Sequence, residues 1–256
     1  MPPTPLPPDR LLDPSTVAVQ LYSLRERMAD RDAVLADLAA IGYRAVEPYD
    51  VLADPAGFRA TADSLGITVC SAHAPALGDK RKELLDAAGV LGCDTVIVPG
   101  VPAERFASRE GLEGLAADLN AAAAEAAVRG MRIGYHNHGF ELENTVDGRH
   151  SLEVLAELLD PGVLLEVDTY WAQVGGADVP ALLGRLGDRV RYLHVKDGPV
   201  EPASPMTAVG GGVMPVAEIL AAGTAVEWRV VELDECATDM TEAVRDSFHY
   251  LTGAAK

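Results

Sequence analysis

The stretch Gly134 to Glu141, GYHNHGFE, places two histidines, an asparagine and a glutamate within eight residues. It follows a short apolar run and precedes polar, turn-forming residues, the pattern of a strand running out into a loop. Side chains alternate faces along a strand, so His136 and His138 are expected on one face and Asn137 on the other. Imidazoles there can ligate a metal or move a proton near neutral pH. Three more strand-like runs end in polar pairs at the same spacing: Glu166 with Asp168, His194 with Lys196, and Glu232 with Asp234. The intervening Val167, Val195 and Leu233 then face the other way. An inward set of Asp168, His194 and Glu232, with a fourth group from the Gly134 stretch, suits Mn2+, Mg2+ or Co2+ better than a thiolate-preferring ion. The plain alternatives are satisfied histidines at a strand edge and an internal salt-bridge layer built on Lys196. So many acids at one place would repel one another without a cation, which favours metal binding.

Eight strand-and-helix units are expected to position these residues. Strands are expected at 17–24, 44–49, 67–74, 94–100, 132–138, 163–171, 190–197 and 228–235. Each precedes an amphipathic stretch, at 30–41, 54–65, 80–91, 109–129, 150–159, 179–186, 216–222 and 240–251, the first four of them followed by glycine. Continuous apolar strands alternating with helices imply a parallel sheet covered by helices, and eight units predict a single-domain α/β fold, a (β/α)8 TIM barrel. A doubly wound open sheet is less consistent, because no glycine-rich dinucleotide fingerprint follows the first strand. In such barrels the active site lies at the carboxyl ends of the strands. His73, His136, His138 and His194 all fall there, whereas His150 and His249 fall in helical stretches.

The remaining composition narrows the function. With 256 residues, 48% of them hydrophobic, the chain can bury a full core. Residues 1–15 are proline-rich and are expected to form a flexible N-terminal arm, with the barrel occupying 16–256. No run has the form of a signal peptide or the length of a membrane span. Cys70, Cys93 and Cys236 are odd in number and lack ligand-like spacing, so the expected location is a reducing cytoplasm. A formal charge of −18 excludes nucleic acid and anionic membrane as expected partners and disfavours polyanionic substrates.

VAVQLYSLRE, YHNHGFE, VDTYWA, YLHVKDG, GGGV and VVELDEC together resemble the sugar phosphate isomerase/epimerase family, the xylose-isomerase-like barrels, from Val17 to Leu251. The YHNH pattern resembles the branch near inosose dehydratases and enzymes of 3-keto sugars. The resemblance implies a divalent metal held at the ends of strands five to eight, with Asp168, His194 and Glu232 in three of the places. The family's epimerases carry glutamate in the fourth place, where this chain aligns His136; Glu141, folding back, is the rival ligand. Trp171 stands where those epimerases tend to have a substrate-binding histidine. The metal implied is Mn2+ first, with Mg2+, Co2+ or Zn2+ as alternatives, and the family implies dimers or tetramers.

The chemistry expected is proton abstraction next to a carbonyl through a metal-bound enediolate. His138 is the candidate proton carrier, Glu232 a second base, and Lys196 the stabiliser of an oxyanion. Reprotonation makes the enzyme an isomerase or epimerase of a sugar or keto-sugar. Departure of a β-substituent makes it a lyase or dehydratase on a 3-keto-glycoside or keto-inositol, and a non-catalytic sugar-binding barrel is the third reading. Gln20, Glu47, His73, Glu141 and Trp171 are expected to meet the substrate, while barrel packing would equally account for Gln20 and Glu47. The segment from Gly198 to Gly212 is read as a mobile lid offering backbone N–H groups, with a plain flexible connection as the alternative. A non-phosphorylated substrate is expected, because Lys196 and Arg25 are the main cations near the predicted catalytic end.

Overall fold

The computed structural model describes residues 5–254. Nine short parallel strands make one sheet: β1 (Val17–Gln20), β2 (Ala45–Glu47), β3 (Thr68–Val69), β4 (Ala72–His73), β5 (Thr95–Val98), β6 (Arg132–His136), β9 (Val163–Asp168), β10 (Val190–Val195) and β11 (Trp228–Val231). A small antiparallel hairpin, β7 (Thr145–Val146) with β8 (Arg149–His150), lies apart from it. The strand order is β3-β2-β1-β11-β10-β9-β6-β5-β4. Its two ends, β3 and β4, are pieces of one extended segment broken at Cys70 and Ser71. Cys70 N–H donates to Val46 O at 3.1 Å and Ala74 N–H to Ile97 O at 2.9 Å, so this segment spans the gap. The nine pieces therefore act as the eight staves of the expected barrel.

The surrounding helices are α1 (Arg31–Ile41), α2 (Pro55–Leu65), α3 (Arg81–Leu91), α4 (Arg109–Ala127), α5 (Phe140–Glu143), α6 (Ser151–Leu158), α7 (Thr169–Val174), α8 (Val179–Leu186), α9 (Val216–Ala222) and α10 (Met240–Thr252). Local chemistry sets their bounds. Asp54 caps α2 by accepting from Gly57 N, and Gly66 ends it at φ +67°, where a side chain would be strained. None of the described helices is long and apolar enough to cross a membrane.

The strands are all shorter than expected, and in two of them a side-chain cap sets the end. β1 stops at Gln20 because its side chain accepts from Tyr22 N and starts a series of 3-10 turns through Asp30. β9 stops at Asp168 because that carboxylate accepts from Trp171 N and caps α7. Trp171 therefore stands on the first turn of a helix rather than on a strand. Of the N-terminal arm, residues 1–4 lie outside the described residues. Leu6 is buried, and Leu12 N–H donates to Leu251 O at 2.9 Å, so the part that is described packs on the barrel.

The period of two along the strands divides the core. Ala18, Ala45, Cys70, Ile97, Leu164, Tyr192 and Val230 fill the barrel interior. Val167, Val195 and Leu233 belong to the larger outer core between sheet and helices, as the alternation requires. Gly134 makes room in the inner layer: a Cβ there would come within 2.4 Å of Leu164 Cδ1 and 2.5 Å of Ile97 Cδ1. Gly134→Ala is expected to cost about 1–3 kcal/mol through overpacking, read as a lower urea midpoint at unchanged slope. An unaltered midpoint would show that Leu164 and Ile97 repack freely.

Candidate active site

The inward residues of the strand ends converge above this apolar plug. Asp168, His194, Lys196, Glu232 and His136 are all at most 5% exposed. His194 Nδ1 lies 2.7 Å from Glu232 Oε2, and its Nε2 lies 2.7 Å from Glu47 Oε1 and 3.1 Å from Glu166 Oε2. His136 Nδ1 is 3.1 Å from Glu166 Oε2, while its Nε2 faces Asp168 Oδ2 at 3.8 Å. Lys196 Nζ reaches Asp168 Oδ2 at 2.9 Å, Glu232 Oε2 at 2.7 Å and Asp234 at 3.0 Å.

Two overlapping donor sets result. His136, Asp168, His194 and Glu232 present ligand atoms within 4.8 Å of one another, and so do His73, His136, Glu166 and His194. The first set joins Asp168, His194 and Glu232, expected from spacing, with His136, which the family resemblance puts in the fourth place. It combines two imidazoles with two carboxylates and no thiolate, a set able to hold Zn2+, Mn2+ or Co2+. Glu166 Oε1 is buried without any partner, whereas Asp168 Oδ2 has the Lys196 ammonium 2.9 Å away. A free buried acceptor such as Glu166 Oε1 fits a cation.

The charges favour ligation by His136 and Glu232, whereas His194 would have to give up a proton to ligate. Burial, aided by His194 and His73, pushes the His136 pKa well below the ordinary value, keeping the ring neutral with a lone pair to donate. Burial opposes charge on His194, yet Glu166, Glu232 and Glu47 hold its pKa well above the usual one. Burial also opposes charge on Lys196, and Asp168, Glu232 and Asp234 overcome it. Lys196 is therefore held as a fixed positive charge. Glu232 is driven well below the carboxylate range, against its burial, by Lys196 and His194.

A cavity of about 580 Å3 opens over this cluster, lined on its inner side by His73, His136, His138, Lys196, Glu232 and Asp234 and at its walls by Tyr22, Tyr49 and Trp171. Trp171 Nε1 donates to Asp234 Oδ2 at 2.9 Å. His138 follows the end of β6, and its side chain is 42% exposed, with Nδ1 buried 3.9 Å from Glu141 Oε1 and without a hydrogen bond. The two rings of the Gly134 stretch lie 5.1 Å apart and nearly perpendicular.

Three residues expected at the substrate are placed elsewhere. Gln20 and Glu47 are fully buried beneath the cavity, Gln20 donating to Glu47 at 2.8 Å and Glu47 also bonded to Ser71 and His194. They brace the histidines rather than meet sugar hydroxyls. Glu141 is fully buried as well, accepting from Tyr135 OH and from His138 N–H, each at 2.8 Å. Both of its oxygens are engaged, and it anchors the turn that carries His138.

The segment read as a mobile lid is pinned. Asp197 accepts from Gly198 N and Met214 N with one oxygen and from Gly210 N and Gly212 N with the other, at 2.8–3.1 Å. The glycine N–H groups that could have cradled an anion already hold one. Spacing alone leaves Glu166, Ser71 and Asp234 without a role. The Glu-x-Asp pairs beginning at 166 and 232 are the available signal for two of them, since each places both acids on one face.

Comparison with known proteins agrees with the barrel fold. The chain matches the model of the Xylose isomerase-like TIM barrel family over residues 35–241. It is 30% identical over 193 residues to the inosose dehydratase of Geobacillus kaustophilus (strain HTA426), covering 65% of this chain and 62% of that protein, less than two thirds of the relative's length. A sugar phosphate isomerase/epimerase from Parabacteroides distasonis ATCC 8503 superposes with a TM-score of 0.79 at 23% identity, covering 95% of each chain. The IolI protein with a binding zinc atom superposes with a TM-score of 0.69 at 14% identity, covering 93% of this chain and 98% of that one. With a family model spanning most of its length, this chain belongs to the xylose isomerase-like TIM barrel family.

Proposed function

We propose that the chain is a divalent-metal-dependent enzyme that removes the proton next to the carbonyl of a non-phosphorylated keto-sugar or keto-polyol and returns it, as an isomerase or epimerase. The observation that carries this reading is the convergence of His136, Asp168, His194 and Glu232 under a cavity also lined by Lys196 and His138. A divalent cation on those four residues would supply a Lewis acid for the carbonyl oxygen and an adjacent hydroxyl. Mn2+ leads among the candidates, and the zinc atom bound by the IolI protein keeps Zn2+ beside it.

The chain's own groups divide the remaining work. His138, whose half-exposed ring lines the cavity, takes the α-proton. Glu232, held ionised by Lys196 and His194, is the second base. Lys196 faces the developing negative oxygen with a proton it does not surrender at neutral pH. Trp171 and Tyr49 offer flat walls to the sugar carbons.

A second reading has its own support. The inosose dehydratase relative favours elimination, in which His138 takes the α-proton and returns it to the β-hydroxyl, which departs as water. Proton NMR in D2O with keto-inositol and free keto-hexoses separates the two. Deuterium entering an intact carbon skeleton is expected for isomerisation or epimerisation, and an unsaturated ketone with released water for elimination. A chain that does neither with any of these, yet binds them, would be a binding barrel.

The same assay tests the absence of phosphate recognition. Lys196 is committed to three carboxylates, Arg25 donates to Asp234 O and Tyr22 O, and the Gly210 and Gly212 amides are held by Asp197. Phosphate sites need such donors free. The free sugar is expected to show the higher kcat/KM, and a clear preference for its phosphate ester would overturn this assignment.

A further inference from the structure

Asp197 is buried one residue beyond Lys196, and both its carboxylate oxygens are spent on backbone. Gly198 N and Met214 N donate to Oδ1 at 2.8 and 3.0 Å, and Gly210 N and Gly212 N donate to Oδ2 at 2.8 and 3.1 Å. The fit is tight: a Cβ on Gly212 would lie 2.1 Å from Asp197 Oδ1. Asp197 O also accepts from Thr207 N at 3.0 Å, so a single residue gathers both ends and the middle of the segment 198–214.

That segment is tied in turn to the chain beyond β11. Met206 N donates to Glu235 O and Ala237 N to Met206 O, each at 2.9 Å, and Asp234 N points at Met206 Sδ at 3.5 Å. Asp234 is the acid that holds Lys196 Nζ with both oxygens at 3.0 Å and Trp171 Nε1 at 2.9 Å. Val200 shows that the segment is held rather than merely resting. It is a β-branched residue at φ +60°, a strained conformation that persists only where the surroundings impose it. Its N–H donates to Tyr170 OH at 3.1 Å.

The geometry points to Asp197 as a positioning residue: through the 198–214 segment it sets the place of Asp234, and thereby of the Lys196 ammonium and the Trp171 wall of the cavity. Its relevance to turnover rests on the proposed proton-transfer reaction, but the coupling itself is independent of that reaction. Asn at 197 keeps one acceptor and turns an N–H2 toward the Gly210 and Gly212 amides, so half of the cradle is lost while the volume is kept.

The test uses Asp197→Asn in a Trp228→Phe background, leaving Trp171 as the sole indole. Expected are faster hydrogen exchange at the Gly210 and Gly212 amides, a red shift of Trp171 emission, and Mn2+ affinity within twofold of the parent. Turnover of keto-inositol or whichever keto-hexose serves as substrate is expected to fall on the order of 10- to 100-fold in kcat, with KM little changed. Met206→Leu leaves the Asp197 cradle whole and removes only the sulfur facing Asp234, and is expected to shift the Trp171 emission in the same direction by less. It reads the coupling even if the Asp197 variant does not fold. Freed amides with unmoved Trp171 emission and unmoved kcat would overturn the proposal, as would an unmoved emission in Met206→Leu when Asp197→Asn fails to fold. If the parent protein turns over none of these ketones, the proposed function falls, while emission and exchange still decide the role of Asp197.

Discussion

Replacing Asp168 or Glu232 by alanine is expected to reduce turnover by about a thousandfold or more while leaving the barrel folded. Each carboxylate belongs to the donor set with His136 and His194, and each also faces Lys196. Neither lies in the apolar layers that hold the barrel together. Asp168→Ala removes the cap of α7, worth about 1 kcal/mol, and Lys196 keeps Glu232 and Asp234 as partners. Circular dichroism and a denaturant midpoint beside the activity assay check both halves of the expectation. A variant that unfolds would assign these acids to the frame of the barrel, and one that keeps full activity would remove them from the site.

The second large effect separates the two histidines of the Gly134 stretch. His136→Ala is expected to weaken metal affinity at least tenfold. His138→Ala is expected to keep the metal and lose proton abstraction by about 100- to 10,000-fold, measured as solvent-deuterium exchange. The neutral, buried His136 ring facing Asp168 and the half-exposed His138 ring at the cavity motivate the difference. Glu141→Ala is expected to resemble a mild His138 variant with metal affinity retained, because Glu141 is bonded to Tyr135 and to the His138 amide. His73→Ala discriminates between the overlapping donor sets: retained affinity places the ion with Asp168 and Glu232, and lost affinity places it with Glu166. Unchanged affinity in His136→Ala would remove that residue from both.

Much of this site is legible in the chain because alternation along a strand is a strong rule. The pairs at 166 and 168, 194 and 196, and 232 and 234 can share a face in only one way, and Val167, Val195 and Leu233 duly face the helices. Depth is a different matter. Alternation assigns Gln20 and Glu47 the correct face, but facing inward does not say whether a side chain reaches the cavity or lies a layer below it. That depends on strand stagger, visible only in the register that pairs Gln20 with Glu47. Trp171 reads as part of a strand because its run is apolar and β-prone, whereas the Asp168 cap wins and turns the chain into α7. Glycine content suggests mobility in the 198–212 segment. Those glycines instead allow backbone N–H groups to crowd around Asp197, a long-range partner that composition does not reveal.

Metal dependence is the claim on which the rest depends, and one measurement addresses it most directly: activity of exhaustively chelated protein as Mn2+ is titrated back, with bound metal counted by elemental analysis. The four convergent donors of His136, Asp168, His194 and Glu232 predict an inactive chelated protein whose activity returns in proportion to the first equivalent bound per chain. Full activity in protein shown to be free of metal would contradict the account, leaving the same cluster as a buried salt-bridge layer around Lys196.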